Sequence, residues 1–247
     1  MSHHIIEIQD LEFAYPDGTK ALQQVSFRIT HGESVALIGA NGAGKSTILL
    51  HLNGCLFPTK GSARIGDVPI TKSTLQSIRR TVGMVFQNPD DQLFMPTVYD
   101  DVAFGPLNLG FPLEEVQLKV MSALEQVGLA HVKNKSPYRL SEGQKRSIAI
   151  ATVLSMNPDI LVMDEPTSNL DPKSRRNLIN LLQTFTHTKI IATHDLDMVL
   201  DICERTIILN NGRIVADGDT TELFQNADLL EQSHLEQPLR LNRLSSM

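Results

Sequence analysis

Cysteine is scarce in this 247-residue chain, and the two present, Cys55 and Cys203, have no partner at metal-ligand spacing. That scarcity excludes a zinc finger or a disulfide scaffold and makes both thiols expected packing residues of a reducing compartment. No apolar run approaches the roughly 20 residues that cross a bilayer. The N-terminus, Met1-Ser-His-His-Ile-Ile-Glu, lacks the basic start and apolar stretch of a secretion signal. A soluble, cytoplasmic chain is therefore expected, one that can dock onto something membrane-embedded. His3 and His4 are expected to be solvated rather than metal-bound. Basic excess is missing too: 22 Lys and Arg against 28 Asp and Glu give a formal charge of −6. A general nucleic-acid surface would carry the opposite balance. No internal repeat or low-complexity tract is visible.

What is present centres on residues 39–46, Gly-Ala-Asn-Gly-Ala-Gly-Lys-Ser, a full match to the phosphate-binding pattern G-x-x-x-x-G-K-[ST]. Residues 33–38 before it read as a buried strand and residues 47–52 after it as an apolar helix, so the glycines fall where a strand turns into a helix. Gly39, Gly42 and Gly44 let the backbone wrap with its N–H groups inward, and the helix adds its positive N-terminal end. Lys45 supplies a charge for the outer phosphates and the Ser46 hydroxyl a ligand for Mg²⁺.

Along the chain, residues 5–14 and 22–30 alternate apolar and polar as half-exposed strands, and Tyr15 precedes a Pro-Asp-Gly turn. Residues 61–65 and 68–70 continue them as a hairpin about Gly66-Asp67. A short polar helix over 73–80 and an apolar strand over 82–86 lead to Gln87, where the character changes. From residue 97 to about 154 the helical period dominates: Val116, Val120, Leu124 and Val127 form a stripe, and Ser141 begins a helix that Asn157-Pro158 ends. The run 160–163 is apolar throughout, as in a fully buried parallel strand. A helix from Pro172, a strand over 189–193, a helix over 195–203 and strands over 206–209 and 213–216 follow. The alternation predicts an α/β fold with a parallel sheet. The expected division is a core over 1–87, a helical subdomain over 88–156, the rest of the core over 157–217 and a tail over 218–247, in which one short helix is expected at 221–224.

Asp164-Glu165 closes the buried run at the exposed end of a strand. An aspartate there suits a Mg²⁺ shell, and the adjacent glutamate can polarise a water for attack on a γ-phosphate; two acids that merely cap a strand are the plainer alternative. Residues 140–144, Leu-Ser-Glu-Gly-Gln, open a helix, and Ser141 and Gln144 stand at capping-box spacing with Glu142 suited to the helix dipole. On local helix chemistry alone, a cap and a functional loop stand equal.

In this order, however, the motifs resemble the ATP-binding-cassette family, whose signature Leu-Ser-Gly-Gly-Gln lies between the phosphate loop and the acid pair. The resemblance extends from Tyr15 to His194. It implies that Tyr15 stacks on adenine, that Gly39, Ala40, Asn41, Gly42, Ala43, Gly44, Lys45, Ser46 and Thr47 cradle ATP, and that Gln87 senses Mg²⁺ and the partner subunit. Ser46, Gln87 and Asp164 are the implied Mg²⁺ ligands, Glu165 and His194 with Gln87 the implied catalytic residues. Residues 168–171 resemble the D-loop. Ser141, Gly143 and Gln144 would face the nucleotide of a second chain, since in this family cradle and signature act in trans across a dimer. Glu142, where the family has a small glycine, is a departure. The implied architecture is a P-loop NTPase parallel-sheet core with an antiparallel β flank and an inserted α-helical subdomain.

Residues 87–94 and 97–105 closely resemble energy-coupling-factor transporter ATPases, and residues 187–201 look most like the cobalt and nickel members. That likeness implies an ATPase at the cytoplasmic face of the membrane. Its implied partners are a transmembrane coupling subunit, a substrate-binding membrane subunit, and a second copy of itself or a similar ATPase chain, with no nucleic acid. The competing expectation is a soluble cassette ATPase of DNA repair or translation; its usual coiled-coil insertions, zinc cysteines and duplicated cassettes are not seen. A P-loop kinase or GTPase would leave residues 141–144 and His194 without a common purpose.

Overall fold

A computed structural model describes residues 4–242, which divide into two units, residues 4–79 with 187–242, and residues 80–186. His3 lies outside the described residues.

The first unit opens with β1 (His4–Ala14) and β2 (Lys20–Thr30), paired antiparallel, followed by β3 (Ser34–Ile38) and α1 (Lys45–Leu52). β4 (Lys60–Ile65) and β5 (Val68–Pro69) then complete a four-stranded sheet in the order β2-β1-β4-β5. The alternation that predicted the antiparallel flank has its cause here: Leu22, Val25, Phe27 and Ile29 are buried, while Ser26 and Arg28 face outward. α2 (Leu75–Thr81) lies at the edge of this unit.

The second unit contains β6 (Val82–Val85), α3 (Val98–Asn108), α4 (Leu113–Gln126), α5 (Glu142–Leu154), β7 (Ile160–Asp164) and α6 (Pro172–Thr184). β6 and β7 pair in parallel, and all nine of their residues are buried, which is why β6 and residues 160–163 of β7 read as apolar runs, with Asp164 closing the second. On α4 the stripe Val116, Val120 and Leu124 is buried, with Ala123 beside it. α3 was not separated from the general helical character of its region. It starts where Thr97 caps the Asp100 N–H, and Asp101 in its first turn accepts the Phe94 and Met95 N–H groups, both at 3.0 Å.

The chain returns to the first unit with β8 (Thr188–Ala192), α7 (Leu196–Ile202), β9 (Arg205–Asn210) and β10 (Arg213–Asp219). β3 is flanked by β8 and β9, both parallel, and β10 adds antiparallel to β9 through the turn at Asn211-Gly212. Val35, Ala36, Leu37, Ile190, Ile191, Ile207 and Ile208 are fully buried. Each valine, leucine or isoleucine so enclosed contributes about 1.5–3 kcal/mol, which together fix where β3 ends and the phosphate loop starts. The tail departs from expectation. The single short helix becomes α8 (Thr220–Gln225), and α9 (Ala227–Gln232) and α10 (Leu239–Asn242) follow it. Phe224 and Leu230 are buried, Asn226 caps α9, and Arg240 makes a bidentate pair with Asp201 on α7.

Both cysteines are free. Cys203 is a packing residue whose burial pushes its thiol up to about 12. Cys55 is exposed, which corrects the expectation that both thiols pack.

Candidate functional site

In the first unit the predicted phosphate loop lies between β3 and α1 and is framed by backbone from elsewhere in that unit. The Gly212 N–H donates to the Ala43 carbonyl at 3.1 Å, and Gln23 N–H donates to the Gly212 carbonyl at 2.8 Å. Gly39 and Gly44 have φ of 152° and 106°. A Cβ at Gly44 would lie 2.8 Å from the Ala21 carbonyl oxygen, and one at Gly39 would collide with that of Leu209. The glycines are therefore required by left-handed backbone and by close approach together.

Lys45 is only 6% exposed, and its Nζ donates to the Gly39 carbonyl at 2.7 Å and the Ala40 carbonyl at 3.2 Å. The ammonium thus bridges the start of its own loop. Ser46 is exposed at the first turn of α1. Tyr15 is half-buried and its hydroxyl shares a hydrogen bond with Thr47 Oγ1 at 3.0 Å. Behind it, Phe13 meets Tyr15 edge-on at 5.1 Å and His51 at 4.9 Å, while His51 Nδ1 bonds the Thr47 carbonyl at 2.7 Å. Burial lowers the His51 pKa and favours the neutral ring. Thr193 N–H donates to the Leu37 carbonyl at 3.1 Å, so His194, exposed, follows β8 at the same strand ends from which β3 enters the loop. The first unit thus gathers Tyr15, residues 39–47 and the His194 backbone.

In the second unit, Ser141 and Gln144 form the complete capping box of α5: Ser141 Oγ accepts from the Gln144 N–H at 3.3 Å, and the Ser141 N–H donates to Gln144 Oε1 at 3.1 Å. Gly143 is under no packing demand from its own unit, since the nearest atom to an added Cβ would be Ser174 Oγ at 3.4 Å. The Glu142 carboxylate reaches Lys145 Nζ at 3.1 Å, and the same ammonium lies 2.8 Å from Asp90. Asp90 and Glu142 together hold the Lys145 ammonium above its usual pKa.

Asp164 and Glu165 are 5% and 6% exposed at the end of β7. Glu165 has φ of 47°, a left-handed conformation that costs a non-glycine residue about 1–3 kcal/mol and collects at functional sites. Its carbonyl accepts from the Ser168 N–H at 3.2 Å and from Ser168 Oγ at 2.9 Å. Asp171 caps α6 through the Lys173 and Ser174 N–H groups. Gln87 is exposed just past β6, and its carbonyl receives Arg146 Nη1 at 2.6 Å.

Lys145, Arg146 and Asp90 were not singled out in the sequence. The available signal was a Lys-Arg pair directly after the signature, which reads locally as ordinary helix surface. Both are buried instead, at 9% and 5% exposure.

Among the described residues no group of three or more His, Cys, Asp or Glu is gathered as for a metal ion. A cation held with a substrate's phosphates needs fewer protein ligands. The Ser46 hydroxyl in the first unit and the Asp164 carboxylate in the second are each, by themselves, hard oxygen donors of the kind magnesium takes, so the chemistry of each fits that ion. Among the described residues no helix is long and apolar enough to cross a membrane.

The sequence profile of the family described as "ABC transporter" matches residues 22–168. A putative ABC transporter ATP-binding protein of Geobacter sulfurreducens is 66% identical over 98% of this chain and 97% of its own length. The energy-coupling factor transporter ATP-binding protein EcfA of Methanothermobacter thermautotrophicus is 46% identical over 97% of this chain and 80% of that protein. Among solved structures, cbiO1 of Clostridium perfringens, described as part of the ABC transporter complex cbiONQ, aligns with a TM-score of 0.83 at 36% identity over all of both chains. A dimeric ATP-binding cassette in a post-hydrolysis state, bound to ADP and Pi, aligns at 0.80 and 29% identity over 87% of this chain and 98% of that one.

Proposed function

The chain belongs to the ABC transporter family, and from that membership we propose that it is the ATP-hydrolysing motor of an energy-coupling-factor importer whose cargo is cobalt or nickel ion. The observation that carries the ATPase reading is the loop at 39–46, whose left-handed glycines and bridging Lys45 make a cradle for phosphate oxygens. The kinship with EcfA proteins supports the importer type, and the likeness to cbiO1, together with the resemblance of residues 187–201, supports the cargo.

In this reading Tyr15 stacks on adenine, with Phe13, His51 and Thr47 fixing its ring. Lys45 moves its ammonium from the Gly39 and Ala40 carbonyls to the outer phosphates, a charge-assisted exchange. By the family resemblance, Ser46, Asp164 and Gln87 are the residues that would hold Mg²⁺, which would supply neutralisation of phosphate charge. Glu165 accepts a proton from the attacking water as that oxygen bonds to the γ-phosphorus and the bond to ADP breaks. His194 positions the γ-phosphate. The α5 N-terminus, with Ser141, Gly143 and Gln144, faces the ATP of a second copy. The room left at Gly143 by its own unit supports this: a bare backbone there serves something outside the unit. The ATP-bound closed dimer then drives a transmembrane coupling subunit and a substrate-binding subunit from the cytoplasmic face.

The test is copurification. Tagged chain drawn from detergent-solubilised membranes is expected to bring down hydrophobic subunits, and sealed vesicles prepared from the same cells without detergent to take up radioactive cobalt or nickel only with ATP. Recovery of ribosomes or DNA without membrane proteins would contradict the importer reading.

A further inference from the structure

We propose that Arg146 is a positioning residue for ATP hydrolysis, its guanidinium tying the backbone at Gln87 to the Ser168 turn that holds Glu165. The inference rests on the reading above, in which Glu165 takes the proton from the attacking water.

Arg146 sits one turn into α5, just past the signature, yet it is among the most enclosed cations of the second unit. Its acceptors are neutral: the Gln87 carbonyl at 2.6 Å, the Ser168 carbonyl at 3.4 Å and Ser168 Oγ at 3.3 Å. Burial lowers its pKa, against the raising fields of Glu142, Glu165 and Asp164, and a guanidinium keeps its proton at such a site. A buried cation spent on two carbonyls and a hydroxyl is a costly way to fill space; leucine or methionine would do that at lower cost.

What those acceptors have in common is position. Gln87 lies two residues past β6, and Ser168 follows Glu165 by three residues. The Ser168 hydroxyl, in contact with Arg146, donates on to the Glu165 carbonyl at 2.9 Å, and the Ser168 N–H reaches the same oxygen at 3.2 Å. That carbonyl belongs to a residue in left-handed conformation, one that persists only where its surroundings over-determine it. Arg146 therefore sets Glu165 through Ser168 while gripping the Gln87 segment with its other nitrogen. Lys145 reinforces the second grip through Asp90. Only a planar fork reaches both sides at once, so lysine is not an equivalent here.

The experiment compares Arg146→Lys, Arg146→Gln, Ser168→Ala and Glu165→Gln in the full chain, with ATP affinity, kcat, KM and thermal midpoint measured for each. Arg146→Lys is expected to bind ATP within about twofold of the parent and to keep KM, while kcat falls about 10- to 100-fold, the scale set by small displacements of a reacting group. Ser168→Ala, which removes only the hydroxyl relay, is expected to lower kcat with KM unchanged, and it carries the test if the Arg146 variants fail to fold. Unchanged kcat in Arg146→Lys, or in Ser168→Ala, would overturn the positioning role, as would a kcat loss that merely tracks lost thermal stability. Glu165→Gln separates the two levels. If it loses hydrolysis while Arg146→Lys does not, the positioning inference alone falls; if it hydrolyses ATP at the parent rate, the reading beneath falls.

Discussion

Lys45 occupies a position where two uses of one ammonium compete: the carbonyls of Gly39 and Ala40 in the chain by itself, and phosphate oxygens when nucleotide enters. A charged donor replaced by a methyl forfeits a charge-assisted bond of about 1.5–3 kcal/mol. Lys45→Ala is accordingly expected to weaken ATP binding roughly 10- to 100-fold, read by titration with a fluorescent ATP analogue; unchanged affinity would refute the cradle. At this scale the sequence was legible where chemistry demands a residue type at a fixed spacing, as in 39–46 or Asp164-Glu165. It was not legible where a side chain's role depends on what folds against it. Arg146 reads as helix surface until Gln87 and Ser168 are brought to it. Glu142 reads as an unmatched carboxylate until Lys145 is seen 3.1 Å away. The left-handed backbone of Glu165 has no sequence mark at all.

Among elements, buried strands were easiest to read, because β6 and residues 160–163 of β7 are apolar throughout; β8 is equally buried yet opens with Thr188 and Lys189. α5 announced its start through a capping box that the structure contains in full. α3 was harder: Pro106 lies inside it, and Phe104 and Leu107 stay exposed, which blurs the apolar face. What fixes its first turn is Asp101, 3% exposed, with Oδ1 taken by two N–H groups and Oδ2 buried without a hydrogen-bond partner. Burial raises the Asp101 pKa against the lowering effect of the Met95 and Phe94 N–H groups, and the charge of Asp100 adds to the rise. A carboxyl raised on folding contributes stability that is complete below its unfolded pKa and is lost as pH rises through the folded one. At neutral pH the native protein therefore bears an ionisation penalty that Asp101→Asn removes while keeping an acceptor for both N–H groups. The asparagine variant is expected to melt about 2–4 °C above the parent at pH 7, on the order of 1 kcal/mol, with the advantage shrinking toward acid pH. Asp101→Ala, which drops the acceptor, is expected to melt below the parent at both pH values. A lower midpoint for the asparagine variant at pH 7 would refute this account. The short helix expected at 221–224 is α8, whereas α9 and α10 escaped the sequence because each is a turn or two long, below the length at which apolar periodicity can be recognised.

For the whole molecule, one chain carries one cradle and one signature. The family places the two across a dimer, and the related cassette bound to ADP and Pi is dimeric. In the function proposed above, a hydrolytic cycle would do work because ATP would bind the closed pair better than the separate chains, and splitting the γ-phosphate would cancel that preference. The most direct measurement is sedimentation of the Glu165→Gln protein with and without magnesium and ATP. The account expects single chains without nucleotide and stable pairs with it, and expects the pairs to vanish when Lys45→Ala is added; an unchanged mass in all three conditions would contradict it.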